Sequence, residues 1–156
     1  PGGSDRQASV RNGLDKAGPS DGTVMIHDGV RPFVRASLIR DCLAGSKATG
    51  ACIPVIAATD TVKRVDEKGI VVGTLDRDTI RLAQTPQTFA NGLIRQAHRL
   101  AFAKGFAATD DASVAEFAGM RVHTVPGDPH NIKITHPQDL AMAGAILSRW
   151  SEEGIV

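Results

Sequence analysis

Residues 27–32 read His27-Asp28-Gly29-Val30-Arg31-Pro32 and follow directly on an apolar run, Val24-Met25-Ile26. If that run is a buried strand, Asp28 stands just beyond its carboxyl end, where open α/β sheets gather their ligands. A carboxylate there suits a Mg²⁺ ion shared with substrate phosphates. Arg31, three residues on, has the planar fork that binds phosphate. A second reading stands beside this one: Asp28 caps the loop, and Arg31 pairs with it on the surface.

Asn131-Ile132-Lys133-Ile134-Thr135 alternates apolar and polar residues, as a strand does. Read so, Ile132 and Ile134 face the core, while Asn131, Lys133 and Thr135 share the other face. Lys133 is then either a fixed cation aimed at phosphate or a solvated lysine on a half-exposed strand. Gly2-Gly3 precedes Ser4-Asp5-Arg6-Gln7-Ala8-Ser9-Val10. A glycine pair before a helix permits close approach of backbone to ligand, and it equally makes a plain tight turn. Gln84-Thr85-Pro86-Gln87 and Thr109-Asp110-Asp111-Ala112-Ser113 place hydroxyls at element ends, where they serve as caps or as ligand donors. The five histidines show no mutual spacing for a metal site, and there is no Gly-x-Ser-x-Gly elbow.

These residues need elements to hold them. The periodicity predicts helices over 5–17, 37–43, 91–104 and from Pro137 to about Trp150, with a short helix capped by Thr109. Gly18-Pro19 stops the first of them. Strands are predicted over 23–27, 50–57, 80–84, 120–125 and 131–134. Two further strands, 61–65 and 70–75, flank the turn Asp66-Glu67-Lys68-Gly69 as a hairpin. A lone hairpin is marginal in water, so this one requires a packing partner, and a second subunit is a natural one. Alternating strands and helices point to an α/β sheet with helices on both faces.

Bulk properties set the bounds. The 156 residues, 42% hydrophobic and 22% charged, fit one globular domain over 1–150 with a tail at 151–156 that either ends there or opens a linker. A net charge of +1 gives no reason to expect nucleic acid or an anionic membrane as partner. The longest apolar run, 51–58, contains Pro54 and is too short to span a bilayer. Cys42 and Cys52 fit small buried hydrophobes, and a reducing cytoplasm is the expected compartment.

Taken in order, the segments at Gly2-Gly3 with 6–10, 27–32, Asp60-Thr61-Val62-Lys63, 84–87, 109–113, 131–135 and Pro137 with Asp139-Leu140 resemble the 2-C-methyl-D-erythritol 4-phosphate cytidylyltransferases of non-mevalonate isoprenoid biosynthesis. The resemblance runs from Pro1 to about Leu147. It implies a Rossmann-like nucleotidyltransferase sheet with a protruding hairpin arm at about 58–79, a homodimer joined through that arm, and Mg²⁺. It implies transfer of CMP from CTP to methylerythritol phosphate with release of pyrophosphate. By the same resemblance Asp28 holds Mg²⁺, Lys133 contacts the reacting phosphate, and Gly2, Gly3 and Ser9 lie against the cytidine. Arg31, Thr85 and Thr109 take the acceptor, with Thr61 and Arg77 reaching it from the other subunit.

Departures from the pattern set further expectations. Gly29 stands where the family has alanine, and Ser4 where an acidic residue often follows the glycines. The family's opening strand and Gly-rich loop, whose Arg and Lys cradle the triphosphate, do not precede Pro1, so an upstream segment is expected to be missing. Two alternatives therefore remain: a sister enzyme acting on ribitol phosphate, and, for the chain as it stands, a non-catalytic dimerising fragment that keeps the acceptor pocket.

Overall fold

The computed structural model describes residues 2–18 and 21–155; Pro1 and Pro19, both used in the sequence reading, lie outside the described residues. In chain order the elements are α1 (Arg6–Lys16), β1 (Thr23–Ile26), α2 (Ala36–Thr49), β2 (Ala51–Ala57), β3 (Lys63–Val65), β4 (Val71–Thr74), β5 (Arg81–Ala83), β6 (Gln87–Ala90), α3 (Asn91–Ala103), α4 (Asp111–Phe117), β7 (His123–Pro126) and α5 (Asp139–Glu152).

The main sheet is mixed. β6 pairs antiparallel with both β1 and β2, so β1 and β2 run the same way. β7 runs parallel to β2 on its other edge. β5 extends the β6 side of β2, antiparallel, and passes into β6 through the cis Thr85-Pro86 bond. Because β1 and β7 point in one direction, the loops that follow them, at 27–35 and 127–138, leave the sheet at the same edge. Gln87 opposes Ile26, the last residue of β1, so Thr85 sits beyond the carboxyl end of that strand. This topology carries three distant pieces of sequence to one place.

Helices cover both faces. The buried residues Ala51, Ile53 and Phe89 meet Leu14, Ile94, Ala97, Ala101, Val114 and Ala115 from α1, α3 and α4. The opposite face takes α2 through Cys42 and Cys52, both fully buried and free. Burial pushes the Cys42 thiol up to about 12, so it packs as a neutral group. A second cluster gathers Phe33, Ala143, Ile146 and Trp150 with Ile132 and Ile134; the Phe33 and Trp150 rings meet edge to face at 5.4 Å.

Several expectations change. The helix expected over 37–43 continues to Thr49 and closes on Gly50 at φ 87°. Gly45, inside that extension, breaks no helix: it lets α2 approach β2, since a Cβ there would stand 2.5 Å from the Cys52 sulfur. Residues 87–90 form a central strand that the apolar pattern does not predict. Their mix of Gln87, Thr88 and Phe89 hides an apolar alternation because both polar side chains are buried with Phe89. The strand expected at 131–134 is irregular instead: the two isoleucines pack and Lys133 is exposed as expected, but Asn131, expected on the face of Lys133, is fully buried because its side chain bonds the Thr85 carbonyl. Asp110, not Thr109, caps α4, its carboxylate accepting the Ser113 N–H at 2.9 Å. The hairpin forms as expected, a separate two-stranded sheet of β3 and β4 with Val65, Ile70, Val71 and Val72 all more than half exposed. Among the described residues no helix is long and apolar enough to cross a membrane.

Gly45 and Gly144 separate packing from propensity. Gly45→Ala gains helix propensity of roughly 1 kcal/mol but forces a methyl into the Cys52 contact, and overpacking costs about 1–3 kcal/mol. Gly144, in α5, has nothing within 4 Å of its missing Cβ. Urea unfolding is expected to show Gly45→Ala less stable and Gly144→Ala more stable than the parent chain. Equal stabilisation of both would contradict the close approach of α2 to β2.

Candidate active site

Asp28 is the centre of the cleft at that sheet edge. Its side chain is 12% exposed and has three cationic neighbours. Arg6 Nε lies 3.2 Å from Oδ1; Lys133 Nζ lies 3.2 Å, and Arg31 Nε 3.6 Å, from Oδ2. Each cation comes from a different segment. Arg6 is in the first turn of α1, which Asp5 caps by accepting the Ala8 N–H at 2.7 Å. Arg31 closes the turn after β1, its N–H donating to the Asp28 carbonyl at 3.0 Å. Lys133 stands between the two isoleucines that pack beside Phe33 and Trp150.

Burial pushes the Asp28 carboxyl up, but hydrogen bonds and charge from Arg6 and Lys133 outweigh it, leaving it below the usual carboxylate range. Asp28 is therefore ionised at neutral pH. Arg6 is also engaged elsewhere: its Nη2 lies 2.8 Å from Asp111 Oδ2, and Asp111 is 1% exposed, with His98 Nε2 3.0 Å from its other oxygen. Three cations, Arg6, Arg31 and Lys133, thus stand among three carboxylates, Asp28, Asp110 and Asp111, so the charges balance. A small polar cavity of about 160 Å³ opens there, and its lining includes Arg6, Asp28, Arg31, Thr85, Thr109, Asp110 and Lys133.

Buried amides hold the loop that carries Lys133. Gln84 Nε2 donates to the Asp128 carbonyl at 2.9 Å and its Oε1 accepts the Asp128 N–H at 3.2 Å. Asn131, fully buried, donates from Nδ2 to the Thr85 carbonyl at 2.8 Å, while its own carbonyl accepts Arg31 Nη1 at 2.7 Å. Gln87 works in the same way on α4: Oε1 accepts the Asp111 and Ala112 N–H groups, and Nε2 donates to Asp110. Burial pushes the Asp110 carboxyl up, yet its bonds from Ser113 and Gln87 and the charge of Arg6 bring it below the ordinary range.

Asp28, Arg31, Lys133, Thr85 and Thr109 thus share one cavity. Gly2, Gly3 and Ser9 sit at the start of α1, where the Gly3 N–H donates to Ser9 Oγ at 2.8 Å; Ser9 borders a separate concavity of about 510 Å³ with Asn12, Asp15 and Lys16. A Cβ at Gly3 would collide with the Ala8 methyl, so the turn onto α1 requires glycine there. Thr61 and Arg77 lie at the base of the hairpin, outside the cavity; Arg77 Nη1 donates to the Thr59 carbonyl at 3.1 Å. The sequence reading missed Arg6 as a partner of Asp28, and Gln84, Gln87 and Asn131 as supports. Only Arg6 carried a signal, as a cation one helical turn after the glycine pair.

The family model for 2-C-methyl-D-erythritol 4-phosphate cytidylyltransferase (IspD) matches residues 1–149. The chain belongs to this family. It is 49% identical over 154 residues to the 2-C-methyl-D-erythritol 4-phosphate cytidylyltransferase of Geotalea uraniireducens, covering 97% of the chain and 66% of the relative. It is 46% identical over 147 residues to that of Bacillus licheniformis, covering 94% and 63%. The crystal structure of the enzyme from Thermus thermophilus superposes with a TM-score of 0.86 at 39% identity, over 94% of this chain and 71% of that one. The fold is accordingly the Rossmann-like α/β fold of IspD proteins. The chain spans about two thirds of the length of these curated relatives.

Arg6 ties this IspD cleft to the α4 side, and its loss is measurable. Arg6→Ala leaves Asp111 buried with only His98 beside it. Breaking a fully buried pair costs about 3–5 kcal/mol. Arg6 is itself 31% exposed, so a loss of roughly 2–3 kcal/mol is expected in urea unfolding at pH 7. A change below about 0.5 kcal/mol would show that Asp111 does not depend on Arg6.

Proposed function

We propose that the full-length protein carrying this chain transfers CMP from CTP to 2-C-methyl-D-erythritol 4-phosphate, releasing pyrophosphate. One observation carries the reading: Arg31 and Lys133 converge on the carboxylate of Asp28 in a cavity that Thr85, Thr109 and Asp110 also border. Membership of the IspD family supports it.

In this reaction an oxygen of the acceptor phosphate forms a bond to the α-phosphorus of CTP, and the bond from that phosphorus to the bridging oxygen breaks as pyrophosphate leaves. No covalent enzyme intermediate is needed. The work is to hold two mutually repelling anions in line and to offset charge on the phosphoryl oxygens. Lys133, 42% exposed and on a braced loop, can turn from Asp28 to a phosphate without loss of packing. Arg31 is less exposed, its Nη1 fixed on the Asn131 carbonyl, and suits the acceptor phosphate as a stationary fork. Thr109 borders the same cavity as the acceptor's hydroxyl partner. Gly2, Gly3 and Ser9 are assigned to the cytidine.

Asp28 is also the residue that would hold Mg²⁺. The fit is that of a shared site. Among the described residues no cluster of three or more His, Cys, Asp or Glu could hold a metal alone, and Mg²⁺ commonly takes one or two carboxylates and completes its shell with phosphate oxygens and water. Bound there, it would neutralise phosphate charge.

The exposed apolar residues of the hairpin, Val65, Ile70, Val71 and Val72, support a homodimer in which a second copy covers the arm. Thr61 and Arg77, outside their own chain's cavity, then serve the partner's acceptor site. The two free buried cysteines support work in a reducing compartment, the cytoplasm.

A coupled pyrophosphate-release assay on the full-length protein, with CTP, Mg²⁺ and methylerythritol phosphate, tests the reading. Turnover is expected, with Asp28→Asn lowering kcat/KM on the order of 100-fold or more. Arg77→Ala is expected to raise the KM for the sugar phosphate more than that for CTP. Turnover only with ribitol phosphate would reassign the acceptor; turnover with neither would reject the proposal.

A further inference from the structure

The turn that carries both Asp28 and Arg31 has little packing to hold it. Gly29 has no atom within 4 Å of its missing Cβ, and Val30 is 45% exposed. Hydrogen bonds fix it instead. The Arg31 N–H reaches the Asp28 carbonyl at 3.0 Å, and the Ile134 N–H reaches the Val30 carbonyl at 2.9 Å. The Asp28 N–H donates to Thr85 Oγ1 at 3.1 Å. The remaining two contacts belong to His27. Its Nε2 lies 2.9 Å from the Arg31 carbonyl, and its Nδ1 lies 2.9 Å from Thr85 Oγ1.

The chemistry of the partners assigns the protons. A carbonyl oxygen only accepts, so Nε2 carries hydrogen. In the neutral ring Nδ1 is then bare and accepts the Thr85 O–H. Thr85 Oγ1 has a lone pair left for the Asp28 N–H. One imidazole thus spans the turn, holding its far end by the Arg31 carbonyl and its near end, through Thr85, by the Asp28 amide.

We propose that His27 is a positioning residue for the transfer reaction, clasping the Asp28–Arg31 turn to Thr85 so that carboxylate and guanidinium are set at a fixed separation. The inference rests on the cytidylyl-transfer reading for its kinetic part alone. It also recasts Thr85, whose hydroxyl is engaged on both sides within the protein and serves the cleft by holding Asp28.

Its two nitrogens can be replaced one at a time. An Asn side chain places its amide near the Nδ1 position and can accept from Thr85; a Gln side chain reaches the Nε2 position and can donate to the Arg31 carbonyl. In the full-length protein, His27→Ala should lower kcat/KM roughly ten- to a hundredfold, as for two lost hydrogen bonds. His27→Asn should recover kcat, which depends on Asp28, while the acceptor KM stays raised. His27→Gln should recover the acceptor KM, which depends on Arg31, while kcat stays low. Loss of folded protein alone would scale kcat without such a split. On the 156-residue chain, ¹⁵N NMR of the imidazole should show His27 with hydrogen on Nε2 and a bare Nδ1. Wild-type kinetics in His27→Ala, or Asn and Gln variants indistinguishable from Ala, would overturn the proposal, as would an Nδ1–H tautomer. If the wild-type protein turns over neither acceptor, the transfer reading fails, and the tautomer alone then supports or overturns the clasp.

Discussion

The contact between the Asp28 carboxylate and its three cations governs the rest of the structure. A carboxylate this buried tends to take up a proton unless charge and hydrogen bonds hold it ionised. Arg6, Arg31 and Lys133 do so here, and in return the carboxylate lets three cations stand within about 4 Å of one point. Arg6 is also engaged by Asp111 and feels the charge of Asp110, so the three cations are balanced by carboxylates in and beside the cleft. Lys133, the most exposed of the three, is the cation able to leave this network, which fits the proposed binding of phosphorylated ligands.

The fold supplies this contact by topology and by buried amides. Parallel β1 and β7 deliver the Asp28–Arg31 turn and the Lys133 loop to the same edge, and the β5–β6 junction brings Thr85 between them. None of these segments is regular secondary structure, so their backbone groups need other partners. Gln84, Asn131 and Gln87 provide them, each nearly or fully buried and each bonded to main chain across many residues of sequence. The apolar cluster of Phe33, Ile132, Ile134 and Trp150 fixes the other side of the same loops. Arg35 adds to it, lying over the Trp150 ring and 3.3 Å from Asp128. Rigid surroundings on two sides leave Lys133 as the exposed and movable cation.

Spacing singled out Asp28, Arg31 and Lys133 but left each open to a surface role; the resemblance to the cytidylyltransferases is what put them at one site. The alternation around Lys133 placed the two isoleucines and Lys133 correctly but not Asn131, which is fully buried because its amide bonds the Thr85 carbonyl and the backbone there is not a strand. The hairpin was legible from its turn residues. What stayed hidden depends on contacts distant in sequence. Gly45 looks like a helix breaker until Cys52 is placed against it, and Gln87 and Thr88 look like turn residues until their buried partners are known. Thr109 and Asp110 are both plausible caps, and only the geometry of α4 distinguishes them. The roles of Gln84, Asn131 and His27 are invisible in one dimension, because a buried amide or an imidazole bridge has no spacing rule.

The most direct test of this account is an NMR titration of the Asp28 side-chain carboxyl carbon in the wild-type chain and in Lys133→Ala. The account predicts a midpoint below the ordinary aspartate value of about 4 in the wild type. It predicts a clear upward move when Lys133 is removed, because burial then meets less opposing charge. An ordinary midpoint in the wild type, unchanged by loss of Lys133, would contradict it.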